Sequence, residues 1–148
     1  MTHMEHNLTW KNKVRGPVIP IPTPFKQDLS VDYQSLAAYV DFLFTNGIEH
    51  VLTTVGTSRY NLLTTGEIKQ VNKTVVEAAD NRGTVIVSNA TVGDVQQAID
   101  FAKHAEKIGA DIFISYYPER YYGDNNLFAF HEAVAQAINI PLIHHEMP

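Results

Sequence analysis

Apolar residues in this chain alternate between two spacings. Short β-branched runs recur at Val18-Ile19-Pro20-Ile21-Pro22, His50-Val51-Leu52-Thr53-Thr54, Thr84-Val85-Ile86-Val87-Ser88, Ala110-Asp111-Ile112-Phe113-Ile114-Ser115 and Ile140-Pro141-Leu142-Ile143-His144-His145. Between them lie stretches at helical spacing: Leu36, Tyr39, Val40, Phe42 and Leu43; Ile68, Val71, Val75 and Val76; Ile99, Ala102 and Ala105; and Leu127 to Ile138. A β-α unit of roughly 30 residues, repeated, marks a parallel sheet with right-handed helical crossovers. The punctuation agrees. Thr64-Thr65-Gly66-Glu67 and Asp94 are helix starts, and Asn46-Gly47, Asn81-Arg82-Gly83 and Ile108-Gly109 are stops. Pro20 and Pro22 cannot donate to a ladder, which marks the first strand as weak.

Such a series either opens as a doubly wound sheet or closes as a barrel. A dinucleotide-binding sheet carries a glycine-rich turn after its first strand, and Thr23-Pro24-Phe25-Lys26 has no glycine. The barrel is therefore expected: an α/β chain forming the first five strands and four helices of a (β/α)8 TIM barrel over residues 17–148, behind a surface tail at 1–16. Strands are expected near 18–22, 50–54, 84–88, 111–115 and 141–145, all parallel. A full barrel needs eight β-α units in about 250 residues, so the chain reads as the front part of one. Chemistry in such a fold sits at the carboxyl ends of the strands. Those ends carry Thr23, Gly56-Thr57-Ser58, Asn89-Ala90-Thr91, Tyr116-Tyr117 and His144-His145-Glu146.

Composition narrows the chemistry. The 148 residues are 45% apolar with a net charge of −5, and the 11 Lys and Arg are scattered, so no basic stripe addresses nucleic acid. There is no cysteine, which removes disulfides, thiolate nucleophiles and cysteine-zinc sites and suits a cytoplasmic setting. No apolar run approaches a membrane span. His144, His145 and Glu146 are adjacent ligand types, but neighbours on a strand face opposite ways and do not share one ion. No metal or cofactor is expected.

Several motifs together carry a family likeness. Pro22-Thr23-Pro24-Phe25, Gly56-Thr57-Ser58, Leu63-Thr64-Thr65-Gly66-Glu67, Gly109-Ala110-Asp111 and His145-Glu146-Met147-Pro148 fall in order and spacing. Over residues 16–148 the chain resembles the dihydrodipicolinate synthase and N-acetylneuraminate lyase family, the pyruvate-type class I aldolases. The resemblance implies a homo-oligomeric barrel in which a lysine on the sixth strand forms a Schiff base with a 2-oxo acid such as pyruvate. The imine is an electron sink beside which a carbon–carbon bond or a hydroxyl is made or lost. Lys69, Lys73, Lys103 and Lys107 fall on predicted helices and do not replace that group.

The same resemblance assigns roles. Thr57 would relay protons and Ser58, through hydroxyl and amide, would hold the substrate carboxylate. The family loop continues Gly-Glu where this chain has Arg59-Tyr60; Arg59 would face a second carboxylate of an acidic substrate or form a structural salt bridge. His145 stands where the family places a catalytic tyrosine, with His144 directed toward the helices. In Tyr116-Tyr117-Pro118-Glu119-Arg120-Tyr121-Tyr122, a one-residue gap puts Tyr121 at the position of the family's intersubunit tyrosine, while an ungapped alignment puts Arg120 there. His3, His6, His50 and His131 have no partner pattern and read as structural or exposed. The functional expectation is a lyase, aldolase or dehydratase, acting on a 2-oxo acid. The rival is a binding or oligomerisation protein that kept the barrel-mouth loops without the lysine.

Overall fold

The computed structural model describes residues 14–88, 94–116 and 123–145, with His145 given by its main chain. The elements run β1 (Ile19–Pro20), α1 (Tyr33–Thr45), β2 (His50–Thr53), α2 (Thr65–Ala79), β3 (Thr84–Ser88), α3 (Val95–Ile108), β4 (Ile112–Tyr116), α4 (Asp124–Gln136) and β5 (Leu142–His145). Two short 3-10 turns, Gly56–Ser58 and Tyr60–Leu62, connect β2 to α2. The tail at 1–13 lies outside the described residues.

Local chemistry fixes these boundaries. At the head of α2, the Thr64 hydroxyl accepts from the Glu67 N–H while the Glu67 carboxylate accepts from the Thr64 N–H at 2.8 Å, a reciprocal cap that stops the chain from fraying. Asp32 and Asp94 cap α1 and α3 by accepting from the N–H groups of Ser35 and Gln97. Gly109, at φ 87°, ends α3 in the left-handed region that glycine enters without strain. β1 is only two residues long, consistent with its prolines. Helix α4 begins at Asp124, ahead of the first apolar position Leu127, because Gly123 admits it and its first turn is solvated.

The sheet order is β1-β2-β3-β4-β5 and each of the four pairings is parallel. Alternation sorts the side chains into two layers. Val51, Val85, Val87 and Phe113 face the helices and pack with Leu36, Val40, Val71, Val75, Phe101, Ala102 and Val134. Ile86, Ile112, Ile114 and Tyr116 form the opposite face, joined by Val55, Leu52, Val14 and Val18, with no helical residue among them. A doubly wound sheet has helices on both faces and a reversal of strand order. Here neither holds, and the α/β winding is that of a barrel wall.

The entry to β3 shows how tightly this wall is closed. A side chain at Gly83 would collide with the Glu49 carbonyl oxygen and the Phe44 ring, and that same carbonyl accepts the Thr84 N–H at 2.8 Å. Neither obstacle is a flexible tip. Gly83→Ala is expected to cost about 1–3 kcal/mol, as overpacking against fixed backbone does, read as a lower urea midpoint at an unchanged slope. An unaltered midpoint would mean that β3 does not enter the sheet this closely.

Candidate active site

Parallel pairing brings the exits of β2, β3, β4 and β5 to one edge. After β2, Val55 is extended and Gly56–Ser58 turns, with the Ser58 N–H donating to the Val55 carbonyl at 2.8 Å. Ser58 is fully buried: its hydroxyl donates to the Ile21 carbonyl at 2.6 Å, and its carbonyl accepts the Thr23 hydroxyl at 2.6 Å. Two polar groups of this residue thus tie the turn to the exit of β1, while its N–H closes the turn on Val55. Thr57, one position earlier, is exposed. Within Gly56–Ser58 it carries the exposed side chain. Arg59 follows, also exposed, with a left-handed φ of 54°.

At the end of β4, Tyr116 is buried on the face away from the helices. Its phenol is pushed above the ordinary tyrosine range, chiefly by burial and secondarily by the neighbouring Tyr60 phenol. Tyr60 belongs to the short turn after β2. The sequence marked Tyr116 only as a strand end. A buried phenol on an alternating strand was the available signal for it. His145 pairs with Tyr116 across the β4–β5 ladder. Tyr121 and Arg120, together with Asn89-Ala90-Thr91 and Glu146, lie outside the described residues.

Behind this edge, on the helix side, is a second polar cluster. Ser115, fully buried, lies 2.9 Å through its hydroxyl from His131 Nδ1, and the His131 and His144 rings meet edge to face at 4.1 Å between centroids. His144 thus faces α4, as the strand alternation requires. His131, read from sequence as structural or exposed, is half-buried in this contact. The four downstream lysines sit elsewhere: Lys73, Lys103 and Lys107 are exposed on α2 and α3, and Lys69 lies over the Phe101 ring at 5.6 Å. A cavity of about 240 Å³ is bounded by Tyr60, Asn61, Ile68, Gln97 and Phe101. Among the described residues there is no cluster of three metal-ligand side chains, and no helix is long and apolar enough to cross a membrane.

A (β/α)-wound wall with a hydroxyl-bearing turn at its carboxyl edge defines a class, and the comparisons specify the family. The chain belongs to the dihydrodipicolinate synthetase family, whose model matches residues 13–148. It is 33% identical over 137 residues to a 4-hydroxy-tetrahydrodipicolinate synthase of Chelativorans sp. (strain BNC1), covering 90% of this chain and 46% of that protein. Among solved structures, a dihydrodipicolinate synthase of Oceanobacillus iheyensis matches with TM-score 0.78 at 29% identity, over 86% of this chain and 42% of that one. An N-acetylneuraminate lyase of Mycoplasma synoviae matches with TM-score 0.81 at 25% identity, over 93% and 48%. The chain spans about half the length of the curated relatives it matches.

Burial, with the His144 ring as the lesser cause, lowers the His131 pKa from 6.5 to about 4. Between about 6.5 and about 4 the unfolded chain takes up a proton that the folded chain refuses, so stability falls as pH falls through that window. His131→Gln is expected to flatten this acid slope in urea-unfolding series at successive pH values. Equal slopes in both proteins would refute the buried, neutral imidazole.

Proposed function

We propose that this chain forms the first half of a (β/α)8 barrel lyase, an aldolase or dehydratase, acting on a 2-oxo acid such as pyruvate or a keto sugar acid through a Schiff base. The tail at 1–16 and the barrel portion at 17–148 are part of that proposal. The observation that supports it most is the Gly56–Ser58 turn: in a chain of this family it leaves the Thr57 hydroxyl exposed at the carboxyl edge while Ser58 anchors the turn to β1.

In this reading the amine that attacks the substrate carbonyl comes from a part of the protein that these residues do not include. The amine displaces water from C2, and the resulting cationic imine draws electrons from the bond that breaks or forms. Thr57 carries a proton between substrate and solvent, and Ser58, already ordered, presents the turn to the carboxylate. Position 145 follows His144 on β5 and so belongs to the face opposite the helices. We assign His145 there as the proton relay, in a role for which imidazole works near neutral pH. Tyr121 completes the relay across a subunit contact of a homo-oligomer. Arg59, exposed at the rim, sets a preference for acidic substrates.

Imine formation needs an amine held neutral by a dry or cationic setting, and Lys73, Lys103 and Lys107 are in water. Borohydride treatment with pyruvate, read by intact mass and peptide mapping, is expected to leave Lys69, Lys73, Lys103 and Lys107 of the 148-residue chain unmodified. A longer protein carrying this sequence and a sixth-strand lysine is expected to gain one pyruvyl adduct. In that protein Thr57→Val should lower kcat roughly 10²-fold, the scale of a lost proton relay. An adduct on any of the four helical lysines would displace the nucleophile from the sixth strand. No adduct on the longer protein would favour the ligand-binding or oligomerisation reading instead.

A further inference from the structure

Thr54, the first residue past β2, is β-branched yet sits at φ 59°, in the left-handed region. Such a conformation persists in a branched residue only where surrounding contacts over-determine it. Those contacts are all polar and all buried. Thr54 Oγ1 lies 2.8 Å from the Thr53 carbonyl, 3.0 Å from the Ser88 carbonyl, 3.2 Å from Ser88 Oγ and 3.2 Å from Asn72 Oδ1. The Ser88 N–H donates to it at 3.3 Å, and the Ser88 hydroxyl donates to the Thr54 carbonyl. A hydroxyl has one proton and two acceptor sites. Thr54 Oγ1 thus accepts from the Ser88 N–H and gives its one proton into the cradle of acceptors formed by the Thr53 and Ser88 carbonyls and Asn72 Oδ1.

This network joins three elements at the edge where the candidate site lies. Asn72 belongs to α2, Ser88 is the last residue of β3, and Thr54 directly precedes Val55, whose carbonyl holds the Ser58 N–H. The turn is therefore held at both ends: by Thr54 behind it, and by the Ser58 contacts to Ile21 and Thr23 ahead of it. Only Thr57 projects. We propose that Thr54, held by Ser88 and Asn72, is a positioning residue that aims the Thr57-bearing turn, its left-handed conformation setting the direction in which Gly56–Ser58 leaves the sheet. The ligand half of this inference rests on the reading of Thr57 as a 2-oxo-acid group.

Three variants of the 148-residue chain test it. Thr54→Val keeps the shape and loses the hydroxyl, Thr54→Ser keeps the hydroxyl, and Thr54→Gly accepts φ 59° without strain but carries no hydroxyl. The readouts are the amide resonances of Gly56, Thr57 and Ser58 in nitrogen–proton spectra without ligand, their movement on titration with pyruvate, and the urea midpoint. The expectation is that Val and Gly variants shift the three ligand-free resonances and weaken the pyruvate response at Thr57 at least tenfold, while Ser restores both to within twofold. Thr54→Gly should do so with the smaller loss of midpoint, which keeps the test open if the Val variant does not fold. A lower midpoint with unmoved resonances and an unchanged pyruvate response would reduce Thr54 to a structural role and overturn the inference. If the unsubstituted chain shows no pyruvate response at Thr57, the titration is read on the longer protein carrying a sixth-strand lysine, where no response overturns the functional reading, and the ligand-free resonances decide whether Thr54 positions the turn.

Discussion

Parallel pairing obliges the chain to travel back along the sheet before it can start each new strand, and a helix is the compact way to do so. Every strand therefore leaves the sheet at the same edge, and every helix returns it to the other. In this chain the order β1-β2-β3-β4-β5 keeps all the helices on one face. The opposite face is left to Ile86, Ile112, Ile114 and Tyr116. The edge where the strands leave is then the natural place for groups that the apolar layers cannot hold.

Hydroxyls occupy that edge because strand ends present carbonyls that the ladder no longer pairs. A buried carbonyl without a partner costs about 1–3 kcal/mol, and Ser or Thr supplies a donor at little volume. Thr23 gives its proton to the Ser58 carbonyl, Ser58 to the Ile21 carbonyl, and Ser88 to the Thr54 carbonyl. Ser115, on the helix side, instead meets the His131 side chain. The rigidity of the site thus comes from backbone satisfaction. Thr57 is exposed because its neighbours carry out that task.

The elements were legible because period and punctuation are local. β3 lies at the expected residues, β2 and β5 within one residue and β4 one residue later than expected, all in parallel pairs. The start of α4 was missed by three residues because Asp124-Asn125-Asn126 bears no apolar signal. The roles within the site were less legible. Thr54 with Asn72 and Ser88 spans separations of 18 and 34 residues, and nothing in a run of Thr-Thr-Val announces a left-handed residue. His131 met Ser115 across 16 residues, again a contact that periodicity does not encode. The family motif marks Ser58, but the gift of its proton to the Ile21 carbonyl spans 37 residues and is not written in the motif.

Distance decides how the proposed roles of Thr57 and His145 can be joined. β2 and β5 are separated by β3 and β4, which is three strand spacings, or roughly 14 Å along a flat sheet. A three-carbon 2-oxo acid does not bridge that span. Curling the sheet shortens the chord across its hollow side, and closure into a barrel of eight strands leaves an interior only wide enough for side chains. The exposure of Ile143 on β5, at 40%, against 4% for its ladder partner Ile114, follows from β5 being the last strand of this sheet. A further strand beside β5 would cover Ile143 and extend the curve. The same closure that completes the apolar face would bring position 145 across from Thr57, so that in this fold the packing of the hollow side and the assembly of the proposed site are one event.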